Sequence, residues 1–384
     1  MFLTPSDFTK QTFTEFIGHK DEVNCVSYSP DFQFVVTGSD DHRVRVFNVK
    51  TKQCIIKLRG HNGAIKCVAV SQCSRYLASG SYDKSARIWK TASGECLHVL
   101  SGHHKSIESI AFSPGAVYVC TGSWDRTARL WCVQTGMVLQ IFHGHGSLVQ
   151  SMAFSYDSHM LASGSWDFTV RVWSLNHKHY KKIRANVNQC SSEKITSDRK
   201  DNTLTKTLHL HNISETEEDN SDHQNETTSD LKENHDDKEN EIEYRSLIGH
   251  TGNVHSVTFS LIGMLASGSW DRTVRLWNPW KGICLRHLVG HIGWVQAVSF
   301  SPDSTFIASA ADDDYVKIWD IVSGDCVKTL EGDTDMVQFC AFTPDGEVIA
   351  SGAAVVQGKQ LPKRKNEEEI KDAEDQLLAM LNCD

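Results

Sequence analysis

The chain has 384 residues, 40% of them hydrophobic, and a formal net charge of −9. It contains no apolar run of the ~18 residues needed for a bilayer-crossing helix, and Met1 to Lys10 lack the basic start and apolar core of a secretory signal. The negative charge is concentrated between Ile213 and Glu243, where thirteen Asp or Glu face two Lys; the remainder is near neutral, and no nucleic-acid or membrane partner is expected.

In chain order the first candidate element is a short strand, Phe13-Thr14-Glu15-Phe16-Ile17, with no partner of its own nearby. A repeating unit follows. Gly-His dipeptides place His19, His61, His103, His145, His250 and His291 at intervals of 42, 42, 42, 105 and 41 residues. An aspartate comes 21 or 22 residues after each, at Asp41, Asp83, Asp125, Asp167, Asp271 and Asp313. Six residues further on stands an aromatic: Phe47, Trp89, Trp131, Trp173, Trp277, Trp319. One such unit cannot bury its own apolar face, so a period near 40 signals units stacked side by side.

Each unit reads as four strands. In the second these are Ile65–Val70 (strand a), Tyr76–Ser81 (b), Ala86–Trp89 (c) and Cys96–Leu100 (d), separated by turn clusters such as Tyr82-Asp83-Lys84-Ser85. Short strands with evenly spaced turn signals indicate an all-β propeller. The cysteines fit the same frame. Cys54, Cys96, Cys284 and Cys326 share one repeat position and Cys25, Cys67 and Cys340 another, which reads as small core residues in a reducing compartment, cytosol or nucleus.

The phrasing of the units, as in Leu161-Ala162-Ser163-Gly164-Ser165-Trp166-Asp167 and again from Leu265 to Trp277, resembles the WD-repeat family over about residues 12–175 and 242–354. That resemblance implies a seven-bladed propeller. It also implies that His, a strand-b Ser or Thr, Asp and the strand-c Trp form a buried hydrogen-bonded chain in each blade. The residues carried over are His61, Asp83 and Trp89; His103, Asp125 and Trp131; His145, Asp167 and Trp173; His250, Asp271 and Trp277; and His291, Asp313 and Trp319. Donor and acceptor chemistry agrees, since Asp accepts from His and Trp donates its indole N–H. Ser, His and Asp also evoke a hydrolase triad. An enzyme needs one such site, however, and this chain has six copies.

The 105-residue interval holds an insert, residues 176–241, between strands c and d of blade four. It opens with Lys178, Lys181, Lys182 and Arg184, turns acidic, and is poor in aromatics, a composition that predicts disorder. A tolerated loop is the plain reading; a docking or phosphorylation segment, with acidic residues three positions after Ser214 and Thr216, is the other. The seventh repeat carries Asp333, Val355 and Leu361 where His, Asp and Trp are expected, so its strand c is read as weak or missing. The orphan N-terminal strand is expected to close this blade, because a ring must not leave an edge open. Residues 12–354 thus form the propeller. The tail, 359–384, has a basic cluster at Lys363-Arg364-Lys365 and an amphipathic helix marked by Ile370, Ala373, Leu377, Met380 and Leu381, free either to dock on the propeller or to meet a partner.

No Gly-rich phosphate loop, zinc pattern or carboxylate pair stands out, so no catalytic, cofactor or metal residue is assigned. The candidate partner-binding residues are aromatics just before the turn aspartates, Tyr82, Trp124, Trp166 and Trp270, joined by Trp294. Large aromatics on turns are costly to leave in water, and Trp is favoured at interface hot spots. The family's peptide grooves also point to channel positions five residues after each Gly-His histidine, here Lys66, Glu108, Gln150, His255 and Gln296, together with Asn24. Trp280, on a c–d loop, is expected to be a lone surface residue. The expected function is a monomeric, non-enzymatic scaffold for a protein or peptide. Two alternatives remain: a substrate-recognition subunit of a ubiquitin ligase, although Trp319-Asp320-Ile321-Val322 departs from the Trp-Asp-x-Arg adaptor signature, and a chromatin or modified-peptide reader.

Overall fold

The structure is a computed structural model that describes residues 13–14, 16–175, 244–331, 339–342, 347–351, 356–360, 376 and 379–381. The chain divides into two compact units, 1–177 with 243–384 and 178–242. The predicted insert lies outside the described residues. In the first unit seven four-stranded antiparallel sheets follow one another, each running a-b-c-d in sequence order except the last. Blade three is representative: Ile107–Phe112, Tyr118–Ser123, Ala128–Cys132 and Val138–Phe142. Its strand b is buried at every position. Strand a of each blade packs beside strand a of the next.

Close packing between blades explains the Ala-Ser-Gly phrasing of strand b. A Cβ on Gly80 would lie 2.7 Å from Ile107 of the following blade, and one on Gly268 would lie 2.7 Å from Val295. Only glycine admits that approach. Serines stitch the same interfaces, since Ser109 Oγ accepts the Met152 N–H at 2.9 Å and Ser151 Oγ accepts the Val257 N–H at 3.0 Å.

Each of the first six blades carries the same latch at the ends of its turns. The His Nδ1–H donates to the Asp carboxylate at 2.7–3.0 Å in all six. In blade three the Thr121 hydroxyl meets His103 Nε2 at 2.8 Å, and Trp131 Nε1–H donates to that hydroxyl at 2.9 Å. The proton order therefore runs Trp to Thr to neutral His to Asp. The other Asp oxygen accepts the N–H two residues on, as from Thr127 to Asp125 at 3.0 Å, and this holds Arg126 between them at a φ of 69°. Blade one keeps His19, Thr37 and Asp41 but has Phe47, which packs against Phe16 at 5.5 Å and donates nothing.

The last blade is completed from both chain ends. Phe13–Thr14 pairs with Val356–Gln360, which pairs with Glu347–Ser351, which pairs with Phe339–Phe342. Closure by the N-terminal strand agrees with the expectation from sequence. The expectation that strand c is weak or missing does not hold, because Val356–Gln360 is fully paired on one side. The backbone supplies that ladder whatever the side chains are, so a polar sequence (Val-Gln-Gly-Lys-Gln) still forms a strand when partners flank it.

Acid sensitivity follows from the latches. Burial pushes the Asp83, Asp125, Asp167 and Asp271 carboxyls up. The His, hydroxyl and backbone N–H donors outweigh it and leave them well below the usual carboxylate range. Burial holds His19, His103 and His291 below the ordinary 6.5 despite their aspartates. Both groups take up protons more readily when unfolded, so both lose stability as pH falls. The denaturant midpoint should be flat above pH 7, decline from about 6.5 as the unfolded histidines charge, and fall more steeply below about 4. A midpoint constant from pH 7 to 4.5 would remove the histidine contribution.

Candidate functional site

Antiparallel order puts the b–c turns and the d–a links on one face of the propeller and the a–b and c–d turns on the other. On the b–c face, strand a of each of the first six blades carries a one-residue bulge. The register skips from Val23 to Cys25, Ile65 to Cys67, Ile107 to Ser109, Val149 to Ser151, Val254 to Ser256 and Val295 to Ala297. The unpaired residues are therefore Asn24, Lys66, Glu108, Gln150, His255 and Gln296. A bulge re-aims its side chain, and all six line one central cavity of about 290 Å³. The predicted channel positions are brought together.

The ring is not uniform. In blades one to three it is charged and cross-linked. Asn24 Nδ2–H donates to Asp40 at 2.6 Å, and Lys66 Nζ–H donates to the same carboxylate at 3.1 Å. These contacts hold the Asp40 carboxyl below its usual range, with the Asn24 bond the largest cause. Burial raises the Glu108 carboxyl, although the Ser106 hydroxyl at 2.6 Å and the Trp124 indole both donate to it. In blades four to six the channel residues are the uncharged Gln150, His255 and Gln296. His255 is held below its ordinary value by burial, and its Nδ1–H donates to the Gln296 carbonyl at 2.8 Å.

The aromatic residues fall into two groups. Trp270 is the centre of one, stacked on Trp294 at 4.6 Å and 13°, facing His255 at 6.1 Å and 18°, and tilted against Trp166 at 5.0 Å. The indole N–H groups of Trp166 and Trp270 are buried without an acceptor. These two rings are half-buried, whereas Trp294 is 45% exposed. The second group is spread out: Trp124 is 44% exposed beside Glu108, and Tyr82 is 63% exposed. The position before the turn aspartate is a carboxylate in the two remaining blades, Asp40 and Asp312, and sequence reasoning passed over both. Asp312 accepts the Trp294 backbone N–H and so holds that ring at the mouth. Trp280, on the opposite face, is not a lone residue, since it lies against Gly263 and lines a cleft of about 250 Å³ with Tyr244 and Arg245.

Comparison with known proteins places this geometry. The family model described as "WD domain, G-beta repeat" matches residues 10–48, 52–90, 94–132, 136–174, 242–278, 282–320 and 324–354, and the chain belongs to that family. Among relatives, the chain is similar to the nuclear distribution protein PAC1 of Arthroderma benhamiae (strain ATCC MYA-4681 / CBS 112371), 39% identical over 74 residues, 17% of this chain and 16% of the relative. It is also similar to the small ribosomal subunit protein RACK1y of Oryza sativa subsp. japonica, 45% identical over 64 residues, 16% of this chain and 19% of the relative. The chain thus spans less than a fifth of either relative's length.

The geometry at Glu108 is open to direct titration. Its carboxyl should titrate above the ordinary 4.5 in carbon-detected NMR. Trp124→Phe removes a donor to the ionised form and should move the titration higher still. A midpoint at or below 4.5, or a downward move in the variant, would contradict the burial and the indole contact.

Proposed function

We propose that this protein is a non-enzymatic scaffold that presents its b–c face to a protein or peptide partner. The observation that carries the reading is the half-exposed Trp124 indole. It stands beside Glu108, which lines the bulge-lined cavity, with Tyr82 beyond it and the Trp166–Trp270–Trp294 stack in the blades that follow. An ordered aromatic loses little freedom on binding, which lowers the cost of association. The half-buried Trp166 and Trp270 act in this reading as the support that positions Trp294, and the exposed rings make the contact.

The His–Asp–Ser/Thr chains are consumed in holding turns, so the reading assigns no nucleophile, cofactor or metal. Composition supports a monomer in cytosol or nucleus without a nucleic-acid or membrane partner. Within the family, the phrasing of the blades and the divergent last repeat resemble WD repeat-containing protein 38, a likeness that names no partner. The two relatives belong by name to a nuclear distribution system and a ribosomal subunit, and a role in a larger assembly is consistent with both.

Capture from cells by affinity or proximity labelling tests the proposal. Tyr82→Ala with Trp124→Ala should lose partner capture, by roughly 30-fold if hot-spot losses of about 2 kcal/mol apply. The thermal midpoint should stay essentially unchanged, because both side chains are exposed. Undiminished capture by the folded variant would move the site away from this arc. An array of unmodified and methylated peptides separates a modified-peptide reader from a general scaffold, and recovery of a cullin complex would favour the ubiquitin-ligase reading.

A further inference from the structure

The opposite face holds a contact that the b–c-face reading does not use. Residues 376 and 379–381 are helical, and Met380 and Leu381 lie on blades five and six. Leu381 is buried in the apolar cluster that contains Met264 of blade five and Ile321 of blade six, with Met380, Ile262 and Val322 packed against it. Asn278, fully buried at the start of the blade-five c–d turn, donates from Nδ2 to the Leu381 carbonyl at 2.7 Å. The last carbonyls of a helix have no partner within it. Asn278 therefore satisfies the carbonyl of the last described helical residue, while Leu381 and Met380 supply apolar contact.

The two ends of the Asn278 amide have separate tasks. Its Oδ1 accepts the Trp280 and Lys281 N–H groups at 3.0 Å each and so fixes its own turn. In blade six Asp320 makes the same turn contacts, with Val322 at 2.8 Å and Ser323 at 3.0 Å. A carboxylate is therefore sufficient for the turn. The amide N–H of Asn278 is left for the tail alone.

We propose that the c–d face of blades five and six is a second interaction surface, a receptor for the C-terminal end of an amphipathic helix, and that the chain's own tail occupies it. The helix it fits ends on adjacent apolar side chains and an open carbonyl. A competing helix of that chemistry enters only by displacing the tail. This inference stands apart from the b–c-face reading, because it concerns different turns on the other side of the ring.

A fluorescein-labelled peptide of residues 366–384 tests it by anisotropy against the full-length chain. In the wild type, residues 379–381 should be protected from amide exchange and added peptide should bind weakly. Leu381→Asp should free the tail, remove that protection and tighten peptide binding at least tenfold. Adding Asn278→Asp keeps the turn acceptor but removes the donor, and should weaken peptide binding about tenfold again with the thermal midpoint retained. Equal affinity of wild type and Leu381→Asp, at any level, overturns the proposal. So does an Asn278→Asp chain that binds the peptide undiminished, since the peptide would then sit elsewhere.

Discussion

The fold depends on one partly buried carboxylate repeated six times. Each latch aspartate gathers donors from two separate loops: the His ring and the following backbone N–H from the d–a link, and a backbone N–H of its own b–c turn, joined by a turn hydroxyl at Asp83, Asp125, Asp167 and Asp271. Asp83 shows the full set, with His61 at 2.8 Å, Asn62 N–H at 2.9 Å, Ser85 N–H at 2.9 Å and the Ser85 hydroxyl at 2.6 Å. Charge-assisted bonds of this kind are short and strong, and removing the acceptor would strand several donors at once. The carboxylate also holds the next residue in left-handed backbone without glycine, as at Lys84 with a φ of 70°. Fixing the turn in this way also fixes the residue just before it. Tyr82, Trp124, Trp166 and Trp270 are displayed where they are because the latch beside each one leaves the chain no alternative path.

Two local devices thus build the b–c face, and they act independently. The latch orients the residue before the aspartate, and the strand-a bulge orients the channel residue. Where both positions are polar, in blade one, they bond to each other, Asn24 to Asp40. Where both are aromatic or imidazole, in blade five, they stack, His255 on Trp270. The outcome is a ring whose channel residues are charged in blades two and three and uncharged in blades four to six, built from repeats whose cores are nearly interchangeable. Identity among the blades is a packing requirement, whereas difference among them is confined to positions that packing leaves free.

The same division explains what the sequence could and could not disclose. Period, strand order and closure by Phe13–Thr14 were legible, because every one of them is set by local pattern or by the need to pair an edge, whereas the bonded latch was implied by family resemblance. The channel positions were reached through family resemblance; the bulges that aim them are visible only in the pairing register. The stack of Trp270 on Trp294 joins a turn of blade five to a link of blade six, and no spacing rule encodes a contact between neighbouring blades. Asp40 and Asp312 were passed over for a related reason. Acidic residues beside a turn look like solvated loop until the structure shows the amide or ammonium they hold. Docking of Leu381 by Asn278 spans 103 residues, and the amphipathic pattern of the tail offered no address for it.

Blade seven keeps a strand-b hydroxyl, Ser351, but has Asp333, Val355 and Leu361 where the latch His, Asp and Trp stand in other blades. Its strands are held by backbone pairing. Phe13–Thr14 adds the fourth strand through hydrogen bonds to Val356–Gln360 and leads into blade one, where Phe16 packs on Phe47, so that closing the sheet also closes the ring. Met380 and Leu381 of the tail are seated on blades five and six. Backbone pairing does here what the latch carboxylate does elsewhere. It is weaker per contact than a charge-assisted network and can be undone by a competing strand. The least latched blade is therefore the one completed by a separate, exchangeable strand.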